Sequence, residues 1–109
     1  MNEEPFVERT FESGDATITA RFLQPTLAPG GEYQCRYAIL WPDRVQQRYA
    51  CGLDGIQALM LAMKSVHTDL MESDLYKAGA LTYVSQYDLD LPPSWGEGQL
   101  YSPPDRDDS

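Results

Sequence analysis

The chain has 109 residues, 42% of them apolar, with seventeen acidic and eight basic side chains for a net charge of −9. That length supports one domain with a thin core, and no window offers the ~18 apolar residues of a membrane span. The negative balance repels nucleic-acid phosphates and anionic lipid and steers a basic protein toward the surface. For any single acidic residue, solubility is the simpler reason.

The start, MNEEPF, is acidic and is followed by no apolar run, so it does not read as a secretory leader. A cytoplasmic setting with reduced thiols is expected. Residues 5–12 alternate, and Ser13-Gly14-Asp15 is a turn signal. Residues 16–24 alternate cleanly, with Ile18, Ala20 and Phe22 inward. The two runs read as a hairpin.

Residues 25–31, PTLAPGG, read as a loop because two prolines and a Gly-Gly pair interrupt strand pairing. Residues 32–41 place Tyr33, Cys35, Tyr37, Ile39 and Trp41 on one face. Pro42-Asp43 turns the chain, and residues 45–51 place Val45, Gln47, Tyr49 and Cys51 on one face and Gln46, Arg48 and Ala50 on the other. Four consecutive strands then form an antiparallel meander. One register would set Cys35 opposite Cys51 within reach of a disulfide, and a shift by one residue would remove it.

A helix is expected from Asp54 to Met71. Asp54 is a good N-cap, and Gln57 completes a capping-box spacing. Ile56, Leu59, Met60, Met63, Val66, His67 and Leu70 form a stripe at helical spacing, widened by Ala58, Leu61, Ala62 and Met71. Residues 74–80 read as a link stopped near Gly79, and 81–84 as a short fifth strand. From 92 to 109 the chain is rich in Pro and Asp and reads as a tail, so the domain is set at 1–91.

Chemistry is sparse. His67 is the sole histidine and lies on the apolar stripe, with no second ligand at metal spacing. Gly52 and Gly55 flank Asp54, but no phosphate-loop pattern is present, and an acid at a helix start opposes phosphate. No catalytic residue, metal set or cofactor motif is assigned. Arg21, Arg36 and Arg48 are expected on the non-core sheet face. They form either a solvated stripe paired with Glu8 and Glu32 or a polar platform for an anionic ligand or acidic loop. Tyr76, Tyr87 and Trp95 are the aromatic candidates for a partner surface, because Tyr and Trp commonly anchor interfaces.

The stretch RYACGLDGIQALMLAMKSVHTDL, continued through YKAGALTYVSQYDLDLP, resembles a group of short bacterial domains of unknown function. The likeness is carried by Gly52, Asp54, Gln57, Ala58 and Leu59 at the helix start, with GGEYQCRYAI just upstream. It implies a stand-alone bacterial protein and supplies no catalytic residue.

The expected fold is α+β: a four- to five-stranded antiparallel sheet packed against one long α-helix. An arrangement with the helix at a homodimer interface is the alternative. The expected function is a small acidic protein-binding module, of immunity or inhibitor type, that acts on a basic partner. The alternative is a small-ligand or enzymatic domain in the helix–sheet pocket, with His67, Asp54 or the arginine stripe as its polar groups.

Overall fold

The computed structural model describes residues 5–92. Five strands, β1 (Val7–Ser13), β2 (Ala16–Phe22), β3 (Thr26–Leu27), β4 (Tyr33–Leu40) and β5 (Val45–Gly52), precede α1 (Gly55–Met71) and α2 (Asp74–Lys77). The sheet is antiparallel throughout. β2 and the two-residue β3 lie in succession along one side of β4, and β5 lies along the other. β1 and β5 are therefore the two edges. The fold is the expected α+β arrangement, with β3 rather than 81–84 as the extra strand. Residues 81–86 contribute only isolated bridges, Glu12 to Thr82 and Tyr83 to Gln86.

Local chemistry sets the connections. Gly14 opens the two-residue β1–β2 turn at φ 62, a conformation that costs glycine little. Asp54 caps α1 by accepting the Gln57 N–H at 2.8 Å, while the Gln57 side-chain oxygen accepts the Leu53 N–H at 2.7 Å. Ser73 caps α2 within the segment expected to be a plain link, and Gly79 at φ 76 follows its end.

The core lies between α1 and one face of the sheet. Phe11, Ile18, Ala20, Phe22, Cys35, Tyr37, Ile39 and Trp41 meet Ala58, Ala62, Val66 and Leu70, with Leu81, Leu89 and Leu91 closing the side. The helix stripe is thus rotated from the expected one. Val66 and Leu70 are buried, Leu59 and Met63 are partly buried, and Ile56 is 80% exposed. The cause is the close approach at the helix start. A Cβ on Gly52 would stand 2.5 Å from the Ala58 nitrogen, so the helix enters on its smallest side chains and turns Ile56 outward.

β5 also departs from its expected facing. Pro42-Asp43 makes a two-residue hairpin loop, closed by the Trp41 N–H donating to the Arg44 carbonyl at 2.8 Å. An even loop pairs odd residues of β4 with even residues of β5: Ile39 with Gln46, Tyr37 with Arg48, Cys35 with Ala50. The inward face of β5 is therefore Gln46, Arg48 and Ala50. Its more apolar face, Val45, Tyr49 and Cys51, lies on the open side of the sheet.

Candidate functional site

The register decides where the expected site residues stand. Arg21 lies on the open face, where its Nε donates to Glu8 at 3.0 Å. Arg36 is exposed on the same face of β4. Arg48 does not join them: it sits on the α1 side, and its guanidinium is 3.6 Å from the Asp69 carboxylate. The expected three-arginine stripe is therefore a pair on one face and an ion pair on the other. Even so, one concavity of about 400 Å³ is bordered by all three arginines, Arg21, Arg36 and Arg48, together with Leu40, Val45 and Gln47, because Arg48 stands on the β5 edge and reaches it from the other side.

Arg48 belongs to a chain of contacts that clamps the β4–β5 hairpin to the helix. The Trp41 Nε1 donates to the Gln46 side chain at 2.9 Å, and Gln46 Nε2 donates to Asp69 at 3.0 Å. Arg44 stacks over the Trp41 ring at 4.7 Å. Since Asp69 is already shared between Gln46 and Arg48, this cluster reads as a structural clamp.

Tyr76 and Tyr87 meet each other, the Tyr76 hydroxyl donating to the Tyr87 carbonyl at 3.0 Å. Tyr87 remains 60% exposed. No contact joins these tyrosines to the arginines among the described residues, and Trp95 lies outside the described residues together with the tail.

Two further anchors escape sequence reasoning. Arg9, on the inward face of β1, donates to the Asp90 carbonyl at 2.6 Å, lies 3.7 Å from the buried Asp90 carboxylate, and stacks over Tyr83 at 4.4 Å. Glu12 accepts from the Thr82 hydroxyl at 2.7 Å and the Ser85 N–H at 2.9 Å, and these bonds hold its pKa below the usual value. They fix a turn in which Val84 and Ser85 adopt φ 50 and 64.

The groups with chemical potential stand apart. Burial pushes the Cys35 thiol up to about 11, which leaves no thiolate near neutral pH. Cys51 faces the other side of the sheet, opposite Gln34, so the two cysteines do not meet. Burial also lowers the pKa of His67, and Asp88 works against that shift. Among the described residues, no group of three or more His, Cys, Asp or Glu side chains is placed to hold a metal ion. No described helix is long and apolar enough to cross a membrane. A concavity of about 220 Å³ between α1 and the β1–β2 edge is lined by Val7, Glu8, Arg9, Phe22, Met63 and Leu91, and includes neither His67 nor Asp54.

The exposed apolar side chains are more coherent. At the start of α1, Ile56, Leu59, Phe6 and Pro25 line a concavity of about 430 Å³, with Asp54 and Gln24 at its margin. Phe6 is 52% exposed, and Met60 is exposed as well. Charge is less concentrated on the domain than the total suggests. Residues 5–92 hold eleven acidic and seven basic side chains, a net charge of −4, and the other −5 belongs to residues 1–4 and 93–109.

The architecture is that of an α+β domain with a single antiparallel sheet under one long helix. By sequence, the chain belongs to DUF6968, a family defined as a domain of unknown function, with residues 7–93 matched. Comparisons with curated proteins and with solved structures return no match.

Proposed function

We propose that this chain is a protein-binding module, of the inhibitor or immunity type, that engages a basic partner. The observation that carries the reading is the apolar surface at the start of α1, where Ile56 is left 80% exposed beside Phe6, Pro25 and Leu59. A contiguous exposed apolar surface of this kind is a common mark of a contact site. Asp54 at its margin and the overall charge of −9 favour a partner that is basic around an apolar centre. His67 and Cys35 lie apart from the concavity that the three arginines border, so the enzymatic alternative has less support.

Long-range attraction makes a kinetic prediction. A partner recovered from the native host by affinity capture should associate more slowly as salt rises, because exposed charges are screened beyond ~8 Å at physiological ionic strength. An association rate that is equal at low and high salt would remove charge from the argument.

A further inference from the structure

We infer that β5 is an interface strand and that its occupant is the β5 of a second copy, paired antiparallel about a two-fold axis at Tyr49. This goes beyond the heterologous contact proposed above and uses an adjoining surface that shares only Asp54 with it.

The first support is the hydrogen-bonding phase of the edge. The Trp41–Arg44 bond sets Gln46, Arg48 and Ala50 as the β5 residues whose backbone groups face β4. The N–H and C=O groups of Val45, Gln47, Tyr49 and Cys51 then point away from β4. Among the described residues these groups have no partner. The opposite edge is different: residues 82–90 fasten onto β1 through the Glu12–Thr82 bridge and the Arg9 contacts. β5 carries one of the usual protections of an exposed edge, the inward-pointing Arg48, but its charge is paired with Asp69 and the others are missing. Its eight-residue ladder with β4 is unbroken by a bulge, and it contains neither proline nor lysine.

The second support is self-complementarity. The outward-pointing backbone groups are on odd residues, so two copies can pair only odd with odd. Placing Tyr49 opposite its own copy sets Gln47 opposite Cys51 of the second copy. Val45 comes level with Leu53 of the second copy, just past the strand end. Val45 is 59% exposed, Tyr49 60% and Leu53 83%, so each large apolar side chain along this edge gains an apolar neighbour. At the two ends, Arg44 comes level with Asp54 of the second copy, opposite charges that are both exposed. On the α1 side, Arg48 faces Ala50. The neighbouring odd registers do worse. A two-fold at Arg48 opposes two arginines, which destabilises a sheet pair, and one at Ala50 separates Arg44 from Asp54. A single pair of eight-residue strands is a small contact beside the ~1,200 Å² of a stable interface, so a concentration-dependent equilibrium is expected.

The test is sedimentation velocity on the full chain over a wide concentration range, with Tyr49→Lys alongside. Tyr49→Lys places like charges at the axis while leaving every β4 bond intact. Wild type should shift from monomer to dimer, and the variant should move that midpoint at least about tenfold upward, equivalent to ~1.4 kcal/mol. Circular dichroism checks that the variant is folded. A second arm fixes the register: Tyr49→Cys in a Cys51→Ser background should form an interchain disulfide on mild oxidation, since directly paired Cα atoms lie about 5.5 Å apart. A wild type that stays monomeric throughout, or a dimer unmoved by Tyr49→Lys, overturns the proposal. So does a dimer that fails to cross-link at position 49. None of these outcomes depends on capture of a basic partner, so the two readings fail separately.

Discussion

Gly52 lies directly beneath the backbone of Ala58, so that a single added methyl group would stand 2.5 Å from the Ala58 nitrogen. This contact joins the end of β5 to the first turn of α1 and determines which helix face enters the core. Gly52→Ala should therefore destabilise the domain by about 1–3 kcal/mol through overpacking. The midpoint of urea unfolding reports it, and an unchanged midpoint would mean that the helix start can move away from the strand.

The rotated helix stripe predicts opposite outcomes for two similar truncations. Leu70 is fully buried, so Leu70→Ala should cost about 2–5 kcal/mol. Ile56 contributes little to the core, so Ile56→Ala should change stability by no more than about 0.5 kcal/mol. Equal losses at the two positions would restore the stripe expected from periodicity.

Arg9 tethers the 88–90 corner to β1 by charge-assisted bonds to carbonyl groups and by its proximity to Asp90. Arg9→Ala should cost about 1.5–3 kcal/mol, the usual range for a hydrogen bond to a charged group. Hydrogen exchange should show lost protection at the Asp90 amide, which donates to the Asp88 carboxylate at 2.8 Å, before the β4–β5 ladder opens.

His67 gives a pH signature. Its folded pKa is lowered by burial, so the unfolded chain takes up the proton first. The associated stability is fully present above the unfolded value of about 6.5 and declines as pH falls through the folded value. His67 is the sole histidine, so wild-type stability should begin to fall as pH drops below about 6.5, ahead of carboxylate protonation. His67→Leu should flatten that decline, and a slope retained in the variant would assign it to other groups.

Periodicity identified the strands at β1, β2, β4 and β5, and capping chemistry placed α1 to within one residue. Those elements were legible because their signals are local. The facing of β5 was not. Val45, Tyr49 and Cys51 make its odd face the more apolar one, but the parity of the Pro42-Asp43 loop sends that face to the open side. That loop length is the local signal that places Arg48 on the face opposite Arg21 and Arg36. The exposure of Ile56 was hidden because an Ile at helical spacing reads as core, whereas Ala58 and Ala62 decide the close packing. Arg9 and Glu12 bind residues seventy or more positions away, a relation that no sequence spacing expresses.

Binding of a basic protein at the surface around Ile56, as proposed, is tested by a paired affinity capture. Wild-type chain and Ile56→Glu, both verified as folded, are used as baits in lysate of the native host, and retained proteins are quantified by mass spectrometry. A basic protein should be retained by wild type and lost from Ile56→Glu. Retention of the same proteins by both baits would contradict it.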